Sequence, residues 1–168
     1  MEYLRSTVRR ASFTRPSNTT TYGDTDGMGK GSAAQDCVLQ FPASVPWAGR
    51  RGEIKTSRLW KSGTGVTADA FELLVFQSLP ASDPDDNVAA TTSWIKEADS
   101  DSYVGTIAFA TGVAGADAVH YEGAVVPANG IPWNLSGSGG QFYGILQAVA
   151  AYEPASAEVF IITLGCLE

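Results

Sequence analysis

The chain has 168 residues, 44% of them hydrophobic and 17% charged, a balance that builds a real core and excludes wholesale disorder. Its net charge of −7 lacks the basic footprint that displaces counterions from phosphates, so no direct nucleic-acid partner is expected. Eighteen Gly and eight Pro, spread along the whole length, interrupt the chain too often for long helices and predict many short strands joined by turns.

Residues 3–13 mix β-branched and aromatic types with Arg and read as a half-exposed strand. A loop of Thr, Asn, Gly and Asp follows from Pro16 to Ala34. Cys37-Val38-Leu39-Gln40-Phe41 is a short strand, closed by the turn-rich segment Pro42 to Gly49. Within residues 53–61, Ile54, Thr56, Arg58 and Trp60 alternate with Lys55, Ser57, Leu59 and Lys61, a period of two that predicts a strand with one face toward solvent. After the turn Ser62-Gly63-Thr64-Gly65, the near-continuous apolarity of Phe71-Glu72-Leu73-Leu74-Val75-Phe76 predicts a strand buried on both faces.

Pro80 to Asn87 is an acidic turn region, and Tyr103 to Thr111 another strand. Ala114 to Gly140 reads as loop, with one strand over Ala118–Val126. The end of the chain, Gln141–Tyr152 and Ala157–Leu167, reads as two strands around Glu153-Pro154-Ala155-Ser156. For Gln141–Tyr152 a helix fits as well, since Phe142, Ile145, Leu146 and Val149 share a helix face and periodicity does not arbitrate so short a run. About eight strands at these spacings predict an all-β, single-domain antiparallel sandwich, jelly-roll-like, over residues 1–168, with 1–35 as an N-terminal arm or loop region.

The charge is unevenly placed: residues 1–61 hold ten of the eleven Lys and Arg against five acids, and residues 62–168 hold Lys96 alone against thirteen. Either copies of the chain attract one another through opposite patches, or strands from the two halves interleave and blur the asymmetry. Residues 123–152 carry no charged side chain, but Pro127, Pro132, Asn129 and Asn134 break any apolar helix long enough to span a bilayer, so no membrane is expected. The opening Met1-Glu2-Tyr3-Leu4-Arg5 has no apolar segment of the secretion-signal kind.

The ingredients of catalysis are thin. His120 is the one histidine, and neither Ser136 nor Ser138 completes a nucleophile elbow. Asp24-Thr25-Asp26-Gly27 opens like a calcium loop, but Met28 holds the fifth position and Gln35 the closing one. Asp83, Asp85, Asp86 and Asn87 read as a solvated turn, and Cys37 and Cys166 as buried free thiols. No catalytic residue, metal or cofactor is expected. Of the four Trp (Trp47, Trp60, Trp94, Trp133), at least two should fill the core. Trp60, on an otherwise polar strand face, and Trp133, in a Pro-flanked loop, are the candidate contact residues.

Several fragments resemble, in order along the chain, a family of small structural proteins of tailed-bacteriophage virions. They are Phe13-Thr14-Arg15-Pro16-Ser17-Asn18-Thr19-Thr20-Thr21-Tyr22-Gly23-Asp24, Arg58-Leu59-Trp60-Lys61-Ser62, Phe71–Phe76 before Pro80 and Asp86-Asn87, Asp101-Ser102-Tyr103-Val104-Gly105, Tyr143-Gly144-Ile145-Leu146, and Ala151-Tyr152-Glu153-Pro154-Ala155-Ser156-Ala157-Glu158-Val159-Phe160. The resemblance implies a head decoration (cement) protein, a jelly-roll-like sandwich that assembles as a trimer on the capsid surface and binds the major capsid protein. The chain departs from the family around Asp24–Ala34, where extra Gly lengthen the loop. On this reading Arg5, Arg9, Arg10 and Arg15 are candidates for pairing with an acidic shell surface, beside the plainer reading of an edge strand protected by charge. A tail or baseplate module that binds host glycan through exposed Trp is the competing expectation, and a glycan hydrolase with two converging carboxylates a third.

Overall fold

The computed structural model describes residues 6–17, 19–31, 36–42, 51–63, 70–81, 99–126, 130–134 and 141–167. Twelve strands run through them: β1 (Ser6–Thr14), β2 (Gly27–Met28), β3 (Val38–Phe41), β4 (Arg51–Ser62), β5 (Phe71–Phe76), β6 (Tyr103–Phe109), β7 (Gly112–Ala114), β8 (Ala118–Glu122), β9 (Ala124–Val126), β10 (Ile131–Asn134), β11 (Phe142–Ala148) and β12 (Val159–Leu167). All pair antiparallel, in two six-stranded sheets. Sheet one runs β1-β12-β4-β8-β7, with β10 on the other end of β4; sheet two runs β2-β11-β5-β6-β9, with β3 beside β2 on β11. The protein is an all-β sandwich, as its turn punctuation predicts.

Alternation decides what each strand buries. Along β1, burial switches at every residue, sending Thr7, Arg9, Ala11 and Phe13 inward. Along β12, Phe160, Ile162, Leu164 and Cys166 point the same way. These pack against Leu39, Phe41, Phe71, Leu73, Val75, Ile107, Phe109, Phe142 and Leu146 of sheet two in one continuous core. Phe71 is its hub, edge-on to Tyr121 (5.4 Å), Tyr152 (5.2 Å) and Phe160 (5.8 Å).

The central strands β5 and β11 are buried on both faces, as the apolar run of β5 predicts. Their outward residues Leu74, Phe76, Tyr143 and Ile145 join Val38 in a second, smaller cluster. That settles the choice left open at Gln141–Tyr152. A seven-residue segment buried throughout suits a central strand with two dry faces, whereas an amphipathic helix would leave one side wet.

Two segments fold differently from expectation. β4 is a strand, but its strict alternation fails: Gly165 pairs with Thr56 and Cys166 with Ile54, so Lys55 is an extra residue in a bulge. The bulge changes the inward parity, and Ile54 points inward together with Ser57, Leu59 and Lys61, while Thr56, Arg58 and Trp60 take the other face. Within Ala114–Gly140 the described residues carry β8, β9, β10 and the end of β7, so strand extends beyond the Ala118–Val126 expected there. The described part of residues 1–35 is built into the sandwich: β1 pairs with β12 over its whole length, and Tyr22 and Met28 are fully buried.

Between β8 in sheet one and β9 in sheet two lies a single residue, Gly123. Its N–H donates to the Ser57 carbonyl at 3.0 Å. A Cβ there would collide with the Ser57 hydroxyl and sit 2.7 Å from both Ile107 and Phe109. Gly123→Ala is therefore expected to cost about 1–3 kcal/mol, the usual range for overpacking, seen as a lower urea midpoint at unchanged slope. A midpoint equal to wild type would mean the hop between sheets has slack.

Candidate functional site

The outer face of sheet one gathers what the inner face rejects. The strand registers line its side chains up in rows across the sheet. One row reads Ser12 (β1), Ile161 (β12), Trp60 (β4), His120 (β8) and Val113 (β7). The next reads Arg10, Thr163, Arg58 and Glu122 over β1, β12, β4 and β8. The third begins with Val8, Gly165 and Thr56.

Val113 and Val8 are the two most exposed large hydrophobic residues described, at 70% and 65%, and both stand on this face. Trp60, Ile161 and Thr163 are half-buried, while Arg10, Arg58, His120 and Glu122 rise exposed around them. Together they line a shallow hollow of about 740 Å³. Arg58 Nε lies 3.0 Å from Glu122 Oε1, a cross-strand ion pair open to solvent. Such a pair contributes little to folding and mainly orients its two charges.

The candidate residues separate cleanly. Arg10 and Trp60 come together on this face. Arg9, Arg15 and Trp133 do not: they are 3%, 2% and 3% exposed, and so are withdrawn from any partner's reach. Arg9 falls on an inward position of β1, where its guanidinium lies 4.7 Å from the Phe142 ring centre and 5.3 Å from that of Trp133. Guanidinium is weakly hydrated and stacks on aromatic faces, which makes Arg the cation best suited to such a place. Trp133 sits edge-on to Phe142 at 5.1 Å, an inward residue of β10 rather than of a loop. Arg5, Trp47, Trp94, Ser136, Ser138 and the acidic run Asp83 to Asn87 lie outside the described residues.

At one end of the sandwich is a buried polar cluster of which the sequence singles out Arg15 alone as a candidate. Lys61 Nζ is 3.4 Å from Glu158 Oε1 and 3.4 Å from the Tyr152 hydroxyl, and it lies over the Tyr152 ring at 4.7 Å. The Tyr152 hydroxyl donates to Glu158. Beside it, Arg15 covers the ring of Tyr22 at 4.5 Å, donates through Nε to the Tyr22 hydroxyl, and donates its backbone N–H to the Glu158 carbonyl at 2.9 Å. Tyr22 and Tyr152 stack at 6.0 Å and exchange backbone hydrogen bonds. The cluster clamps the ends of β1 and β4 to the turn before β12. Lys61 and Glu158 are 2% and 3% exposed, and the contacts of the cluster hold these chain segments together.

Asp24 and Asp26 belong to a tight turn, where Gly23 N–H donates to Asp26 Oδ2 at 2.5 Å and Thr25 takes a positive φ of 66°. Among the described residues no group of three His, Cys, Asp or Glu is placed to hold a metal ion. Cys37 and Cys166 are both buried. Among the same residues no helix is long and apolar enough to cross a membrane.

No family model matches the chain, and a search of the curated proteins found no match.

Proposed function

We propose that this protein is a non-enzymatic structural component of a tailed-bacteriophage virion, a decoration protein that stabilises the head by binding the major capsid protein and its own copies. The observation that carries the reading is the outer face of sheet one. A half-buried Trp, the two most exposed valines and a set of exposed charges share one rigid sheet surface. That is the composition of an interface: an aromatic anchor, apolar neighbours and Arg at the rim. The resemblance to virion proteins supports the biological setting.

The strand order supports it too. The principal strands fall into the sets β1-β12-β4-β8 and β3-β11-β5-β6, which we read as a jelly roll, an architecture used in viral capsid and lectin domains. A cement protein resists internal pressure by adding interface area rather than chemistry, and a sandwich with a broad, preformed face serves that need.

The test is addition of purified protein to expanded capsids. Symmetric density on the shell by cryo-microscopy, with a raised temperature of capsid rupture, is the expected result. Density confined to the tail tip would overturn the head assignment and favour the adhesion module.

A further inference from the structure

We infer that the outer face of sheet one is a self-complementary surface on which a second copy of this chain docks face to face. The inference rests on reading that face as an interface, and it names which of the proposed partners occupies it. The argument comes from the registers. A two-fold axis lying in the interface, parallel to the strands and between β12 and β4, exchanges β1 with β8 and β12 with β4 while keeping each row opposite itself. The row Arg10, Thr163, Arg58, Glu122 then places Arg10 against Glu122 of the second copy, and Glu122 against Arg10 of the second copy. The row Ser12, Ile161, Trp60, His120 places Ile161 under the second copy's Trp60, twice.

Both exchanges join what association favours: opposite charges at the rim and apolar groups at the centre. The same rotation sets no two like charges of these rows directly opposite one another, since Arg58 faces Thr163 of the second copy. Within one chain Arg10 and Glu122 are three strand spacings apart, roughly 14 Å, so their pairing is available only between copies. Glu122 keeps its in-chain partner Arg58 at 3.0 Å, so in the dimer its carboxylate lies between that guanidinium and the incoming Arg10.

The area is adequate for a modest dimer. Four strands span roughly 14–19 Å and the nine residues of β12 roughly 30 Å, a footprint of about 500 Å² before side-chain relief. This lies near the lower end of specific interfaces, the size class of weak, transient association, and we take a Kd on the order of 10 μM as the value to test. The hollow over Ile161 and Thr163 gives the opposing indole a place to enter.

The experiment is sedimentation equilibrium of the full chain, with paired charge reversals. Wild type should dimerise, more weakly at high salt. Arg10→Glu alone and Glu122→Lys alone should each weaken the dimer by about tenfold or more, since each puts like charges opposite. An equimolar mixture of the two should recover a heterodimer close to wild-type affinity, because every Arg10–Glu122 contact in it is again between opposite charges. Trp60→Ala should abolish dimerisation without involving any charge. All three positions are on the outer face, and a melting scan of each variant separates loss of contact from loss of fold.

A wild type that stays monomeric at about 200 μM, roughly twentyfold above that Kd, overturns the inference, and so does a mixture no tighter than its single components. A dimer that fails to add to capsids removes the virion reading and leaves this one standing. A monomer that decorates capsids does the reverse.

Discussion

Lys61→Met is expected to lower the melting temperature by about 10 °C, while Lys61→Met combined with Glu158→Gln recovers most of the loss. Breaking a buried ion pair by removing one partner costs about 3–5 kcal/mol, because the remaining charge has lost its compensation in a medium that hydrates it poorly. In a domain of this size each kcal/mol is worth about 2–4 °C. Lys61 and Glu158 are 2% and 3% exposed, so solvent screening offers the widowed carboxylate little relief. The double variant removes both charges, keeps an acceptor for the Tyr152 hydroxyl, and replaces the lysine stem with an unbranched apolar chain of similar length. If the double variant melts as low as the single one, the ion pair is not what matters and the lysine stem's packing is. A single variant within about 2 °C of wild type would mean that the carboxylate finds other compensation at once.

The cluster also explains why part of this molecule was legible in the chain and part was not. Fold class follows from local chemistry: Gly and Pro every few residues, β-branched runs and period-two alternation are properties of short windows. The double burial of β5 was readable for the same reason, since all but one of its six residues are apolar. Local windows did not show the bulge at Lys55. One extra residue opposite Gly165 turns Lys61 inward and leaves Trp60 outside, and only the pairing of β4 with β12 reveals it. A lysine at an alternating position reads as solvent-facing until its partner, ninety-seven positions later, is known to be Glu158.

The candidate site divides along the same line. Arg9 and Arg10 are adjacent and chemically identical, yet alternation sends one into the core against Phe142 and the other to the outer face. Their phase was available in the sequence, since Ala11 and Phe13 mark the inward positions of β1 and Arg9 shares their parity. The assembly of Arg10, Trp60, Ile161, His120, Glu122 and Val113 was not. These residues come from five strands spread over most of the chain, and only the order β1-β12-β4-β8-β7 makes them neighbours. The early basic excess and later acidic excess do interleave in sheet one, where β4 lies between β12 and β8. A local trace of the asymmetry survives there: Arg10 and Arg58 come from the basic part, and Glu122 from the acidic one.

Phe71→Ala should destabilise the protein by about 4 kcal/mol, near the middle of the range for a buried aromatic cut to alanine. Phe71 is fully buried, and its ring meets three others edge-on. Those pairs add to the transfer term by about 0.5–1.5 kcal/mol each, but neighbouring rings can relax partway into the void, which pulls the total back. Phe71→Leu keeps most of the volume and should cost about 1–2 kcal/mol. Urea unfolding distinguishes the pair, and equal midpoints would mean that edge-on ring contacts, rather than volume, set the stability here. Two of the three contacted rings belong to Tyr121 and Phe160, adjacent in sequence to His120, Glu122 and Ile161 of the outer face. The rows on that face are nevertheless set by the antiparallel hydrogen-bond ladders of sheet one, to which Phe71 contributes nothing. Well below its melting temperature the Phe71→Ala protein should therefore still display Arg10, Trp60 and Glu122 in register. Its self-association should fall far less than that of Trp60→Ala. Equal losses would show that the face is held in shape by the core beneath it as much as by its own strands.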